Sequence, residues 1–227
     1  AAWWKLDETA GTVAADSSVY GRNGAVNGTA RWVAGKLGGA LQFDGTSTYV
    51  NCGVIPLATS GTGGLTICMW LNRGAAGDHK ICSNRQVDSA PGGGFTCAIY
   101  NNRMEMDLED ASGRLLSRDS SRPVLPNPNE WVWLAWVFDD AADTLKLYVN
   151  DTLAATATVK QSIGASTQFF RIGSDSPSLG HYFAGLLDDV RIYDHALSDD
   201  EIHGAPLPPM IAHPNPTHDQ TDVRRDI

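Results

Sequence analysis

Apolar and polar residues alternate with a period of two through much of this chain, the repeat of a half-buried β-strand. In TLKLYVN (144–150), Leu145, Leu147 and Val149 fall on one face and Lys146 and Tyr148 on the other. MEMDLED (104–110) repeats the pattern, with Met104, Met106 and Leu108 expected inward. Two stretches differ: LTICMWL (65–71) and EWVWLAWVFDD (130–140) are apolar at both parities. Such strands belong at the centre of a sheet, with a second sheet over one face and loops or a ligand groove over the other. Trp131 and Trp133 share one parity of the second stretch and Trp136 takes the other, so one of the two faces is groove or loop-covered.

Turn chemistry separates these runs, at Asp44-Gly45, Asn101-Asn102, Ser112-Gly113 and Asn150-Asp151. One helix is predicted, over LSDDEI (197–202). Ser198 stands at its N-cap, acidic residues fill its first turn and Gly204 ends it. From residue 205 the composition changes. PLPPMIAHPNPTHDQTDVRRDI holds five of the eleven prolines, which reads as a linker or the start of a following domain over 205–227. The opening AAWWKLDE and this far end together suggest a module cut from a larger protein.

The 227 residues suffice for one large all-β domain over 1–204. A net charge of −9, with no basic cluster, argues against a nucleic-acid partner. No apolar run is long enough to span a membrane as a helix. Cys52, Cys68, Cys82 and Cys97 lack any C-x-x-C pair, which argues against zinc. Pairing KICSN with FTCAI sets Cys82 opposite Cys97. A disulfide and buried thiols are both open there, as are all three connectivities of four cysteines.

The order of motifs carries a resemblance. Trp4-Lys5-Leu6-Asp7-Glu8, Asp16-Ser17-Ser18, Gly21-Arg22-Asn23-Gly24 and GALQFDGTSTYV (39–50) come first. LTICMW (65–70), WVWLAWVFDD (131–140), LKLYVND (145–151) and FAGLLDDVRIYDHALSDDEI (183–202) follow. This succession resembles the laminin G-like, concanavalin A-like lectin/glucanase jelly-roll family. The resemblance implies an all-β fold: an antiparallel jelly-roll sandwich of two sheets, six or seven strands each and one of them concave, with one short helix near the C-terminal end. It further implies an extracellular or cell-surface setting and a structural calcium where the first loop meets the last strand. The implied ligands are Asp16 and Asp188, helped by Asn23, Asp44 and the Gly45 carbonyl; calcium takes six to eight such oxygens. The competing reading has Asp16 and Asp44 closing Asx-type turns, and Asp188 pairing with Arg191 or Lys36.

Catalysis has one candidate. Glu105, Asp107 and Glu109 resemble the E-x-D-x-E strand of retaining β-glucanases and share one strand face. Glu105 would be nucleophile, Glu109 acid/base and Asp107 the group tuning the nucleophile. Their outer Cα atoms lie about 13 Å apart, so the glutamates must lean together to reach the separation of about 5–5.5 Å that retention needs. The hairpin Tyr100-Asn101-Asn102-Arg103 leads into this strand where glucanases have a Trp-Pro approach. The continuation 110–130 also lacks the aromatics of a glucan cleft. A solvated strand face is therefore the expectation, and the protein is read as non-catalytic. Seven tryptophans favour recognition of a polysaccharide or glycan by ring stacking and hydrogen bonding, beside other domains of the same chain. A protein–protein adhesion or spacer module without a sugar site is the alternative.

Overall fold

The computed structural model describes residues 2–203 except 56, 58–62, 75–76, 86–91, 102, 120–125, 151 and 177, and leaves aside the side chains of 117–119. The linker expected over 205–227 lies outside the described residues.

The strands run in chain order as β1 (Ala2–Trp4), β2 (Val13–Ala14), β3 (Gly24–Asn27), β4 (Arg31–Ala34) and β5 (Gly39–Asp44). Next come β6 (Tyr49–Val54), β7 (Gly64–Arg73), β8 (His79–Ser83), β9 (Gly94–Tyr100) and β10 (Arg103–Glu109). They continue with β11 (Leu115–Asp119), β12 (Trp131–Asp139), β13 (Thr144–Val149), β14 (Thr152–Thr158), β15 (Phe169–Ile172) and β16 (Ala184–Tyr193). The first sheet is ordered β14-β13-β12-β7-β16-β5-β4, with β1 also pairing β16. The second is ordered β11-β10-β9-β8-β15-β6-β3-β2. Among the described residues each sheet thus holds eight strands rather than six or seven, because short pieces add to the count: β1 pairs β16 beyond the stretch that pairs β5, and β2 sits at the edge of the second sheet.

The two strands apolar at both parities, β7 and β12, are neighbours in the middle of the first sheet, as a doubly covered strand requires. Ile67, Met69 and Leu71 of β7 and Leu134, Trp136 and Phe138 of β12 point into the inter-sheet core. Met104, Met106 and Leu108 meet them from the second sheet, all buried. Trp4 of the first sheet stacks on Phe170 of the second with centroids 5.6 Å apart, and Phe95, also of the second sheet, lies 5.9 Å from Phe170. Cys82 pairs with Cys97 in register, and all four cysteines are free and buried.

Ser198 caps the single helix, α1 (Asp199–His203). Its hydroxyl accepts from Glu201 N–H at 3.3 Å, while the Glu201 carboxylate accepts from Ser198 N–H at 2.8 Å, a reciprocal capping box.

Candidate glycan-binding groove

On the outer face of the first sheet, antiparallel register places Trp131 opposite Asn72, Asn72 opposite Leu186, Leu186 opposite Gln42 and Gln42 opposite Arg31. These five residues form one row across five strands, about 19 Å long at the usual strand spacing. Along it opens a cavity of about 570 Å³, lined by Val33, Gln42, Asp44, Asn72, Asn129 and Leu186 among others. Small residues at Gly74, Ala184 and Gly185 keep it open. Gly185 has φ of +151°, and a Cβ there would stand 2.3 Å from the Asn72 carbonyl, so a side chain at this position is excluded on two grounds. Asp44 shapes the rim. Its carboxylate accepts the N–H groups of Thr46, Ser47 and Thr48 at 2.8–2.9 Å and the Ser47 hydroxyl at 2.7 Å. Although burial opposes it, these donors hold the group far below the ordinary carboxylate range.

The next row deepens this face. Trp133 pairs with Trp70, and Trp70 with Asp188. The two indoles lie 5.6 Å apart at 57°, and Lys36 Nζ stands 5.0 Å from the Trp70 ring. Asp188 Oδ2 accepts from the backbone N–H groups of Lys36 and Leu37 at 2.8 and 2.7 Å, pinning that loop beside the groove. Burial pushes the Asp188 carboxyl up to about 7; Asp189 and Asp7 act in the same direction, against the two backbone donors. Trp136, by contrast, is a core residue; on the outer parity of β12 Trp133 is also buried, at 5% exposure, and Trp131 at the strand end is partly exposed.

The residues that the resemblance implied for calcium do other work. Asp16 accepts from Trp3 N–H, Ser18 N–H, the Ser18 hydroxyl and Arg22 N–H at 2.7–2.9 Å, and Asn23 Oδ1 accepts from Asp16 N–H at 2.9 Å. Gly45 donates its N–H to the Phe183 carbonyl. Asp44 is paired with Ala184, four positions along β16 from Asp188 and so about 13 Å away by strand rise. Arg191 pairs with Asp189 rather than Asp188, because a bulge between Asp188 and Arg191 redirects the second aspartate, whose φ is +55°. Trp3 Nε1 also donates to Asp189. With four donors on Asp16 and four on Asp44, these oxygens do not fit a single calcium shared by all five residues. Among the described residues no three of His, Cys, Asp and Glu gather to hold a metal.

The acidic strand lies on the outer face of the second sheet, and its expected solvation is corrected. Glu105, Asp107 and Glu109 are only 6%, 3% and 1% exposed. Arg85 closes over two of them, its guanidinium 3.0 Å from Asp107 and 3.4 Å from Glu109, so a cation takes the place of water there. Glutamates held in this way do not face one another across an open cleft.

Sequence reasoning left open whether the face of Trp131 and Trp133 or that of Trp136 was the groove, and missed Gln42, Asn72 and Asn129. Asn72 was visible as the first polar residue after the apolar run of β7; the others needed the strand order.

With fold and groove described, the chain can be placed. Residues 44–203 match the family described as the concanavalin A-like lectin/glucanases superfamily, a laminin G-like family, and the chain belongs to it. Among solved structures, domain 4 of an extracellular GH43 arabinanase from Geobacillus stearothermophilus, in complex with arabinotriose, aligns with TM-score 0.68 and 16% identity. That alignment covers 89% of this chain and 96% of the arabinanase domain. The botulinum neurotoxin serotype G binding domain aligns with TM-score 0.62 at 15% identity over 84% of this chain, which spans 47% of that domain. A heptameric SAP-like pentraxin from Limulus polyphemus aligns with TM-score 0.52 at 17% identity, over 71% of this chain and 78% of its own. At such identities the likeness is one of fold. A comparison with curated protein sequences found no match.

Proposed function

We propose that this chain is a non-catalytic carbohydrate-recognition module, acting outside the cell within a larger protein. The groove on the first sheet carries the reading. Side-chain amides at Gln42, Asn72 and Asn129 offer both donors and acceptors, which suits sugar hydroxyls. Leu186 and the partly exposed ring of Trp131 offer apolar surface for the faces of a pyranose or furanose ring. The similar arabinanase domain was solved with arabinotriose, which supports testing arabinan first.

The experiment is calorimetric titration of the full chain with arabino-oligosaccharides and a panel of plant and microbial polysaccharides. Asn72→Ala is expected to weaken the productive ligand about tenfold, the cost of losing a well-placed hydrogen bond and leaving its partner unmet. Retained affinity in both Asn72→Ala and Trp131→Ala would remove the groove from the account. Release of reducing ends that Glu105→Gln abolishes would make the protein a hydrolase instead. Absence of binding across the panel would favour an adhesion or spacer role.

A further inference from the structure

The second sheet presents a different kind of surface beside its buried acidic strand. On β15, Phe170 and Ile172 enter the core, so Phe169 and Arg171 leave it; on β6, Val50 and Cys52 enter, so Tyr49 and Asn51 leave it. Arg171 is paired with Asn51 on one side and Ser83 on the other. Its guanidinium lies 5.7 Å from the Tyr49 ring, and Tyr49 lies 6.3 Å from Tyr182 at 43°. Lys80 N–H donates to the His181 carbonyl, which ties the β8 backbone to the Tyr182 end of the patch, while the Lys80 ammonium lies 6.0 Å from the Tyr100 ring of β9. Arg171 also donates to the Asp175 carbonyl at 3.0 Å, and the Asp175 carboxylate stands 4.0 Å from His181, the acidic group of the neighbourhood. Phe169 and Val54, paired in register and both about half exposed, extend the strip at its other end.

We propose that this strip is a second and separate binding site, for a carboxylated polysaccharide. Arg171 would take the uronate carboxylate through its planar fork, which matches that group's geometry. Tyr49 and Tyr182 would carry sugar rings. The setting sharpens the inference. A chain of net charge −9 repels polyanions as a whole, so any uronate binding must come from a local arrangement of cations. The first-sheet groove, with Asp44 on its rim, has no such arrangement in its lining.

The test is affinity electrophoresis of the full chain in gels containing polygalacturonate, its fully methyl-esterified form, or dextran sulfate. Binding is expected to polygalacturonate and not to the ester. Arg171→Ala should weaken it about tenfold, as loss of a charge-assisted hydrogen bond does, and Trp131→Ala should leave it unchanged. Should Arg171→Ala fail to fold, Tyr182→Ala, altering a partly exposed ring beside Tyr49, should still weaken binding about three- to fivefold. Four results overturn the proposal: no retardation by polygalacturonate, equal retardation by the ester, binding that survives both substitutions, or stronger retention by dextran sulfate that Arg171→Ala leaves intact. The last would be general polyanion attraction.

Discussion

The outer faces of the two sheets obey the same alternation and end with opposite characters. On the first sheet, an open groove runs past the amides of Gln42 on β5, Asn72 on β7 and Asn129 just before β12. On the second, a strand whose outward residues are Glu105, Asp107 and Glu109 is closed to water, with Arg85 over Asp107 and Glu109. Alternation decides which side chains leave the core. It does not decide whether solvent reaches them, because that depends on what lies above the sheet. Trp131 at the end of β12 is therefore partly exposed where the acidic residues of β10 are not.

The sharpest way to break this comparison is to exchange the roles it assigns within β12. Trp136→Ala should cost about 3–5 kcal/mol, the usual range for removing a buried tryptophan, and lower Tm by about 10 °C or more. Trp131→Ala, at the start of the same strand and on its opposite face, should change stability by less than about 1 kcal/mol, as partly exposed substitutions do. Thermal unfolding of the two variants measures this directly. Equal losses would mean that the Trp131 ring is packed rather than presented.

The second face is probed at Arg85. Arg85→Ala leaves Asp107 and Glu109, 3% and 1% exposed, without their nearest described cation. Removing one partner of a buried ion pair typically costs about 3 kcal/mol. Chemical denaturation would show this as a lower midpoint with unchanged slope. A neutral result would mean that water reaches the acidic strand after all, and the contrast between the faces would fall.

The smallest effect concerns the junction of the first loop and last strand. A bound calcium at a hundredfold excess over its Kd would add about 2.7 kcal/mol, worth several degrees in Tm. Because Asp16 and Asp44 already accept four donors each, we expect calcium and a chelator to move Tm by less than about 1 °C. A rise of several degrees with calcium would mean that those donors give way to the ion.

Much of the sandwich was legible because its signals are local. Alternation in β10 and β13, double-sided apolarity in β7 and β12, and Ser198 at a helix cap all come from spacing within a few residues. The register of Cys82 with Cys97 followed from a glycine-rich hairpin in the same way. What stayed hidden was non-local. Gln42, Asn72 and Leu186 are more than a hundred residues apart in part, and share a row only because β16 inserts between β7 and β5. The fate of Asp188 and Asp189 turned on a bulge in β16 that shifts the register by an amount composition does not encode. The burial of Asp107 and Glu109 goes with Arg85, far upstream in the chain, folding back across the sheet.

The groove is the centre of the account, and titration of the intact chain with arabino-oligosaccharides and the polysaccharide panel, repeated with Asn72→Ala, tests it most directly. Saturable binding that falls about tenfold in the variant, with Tm unchanged, is the expected result. Binding of equal strength in the two proteins would contradict it, since the ligand would then be held somewhere other than the row from Trp131 to Gln42.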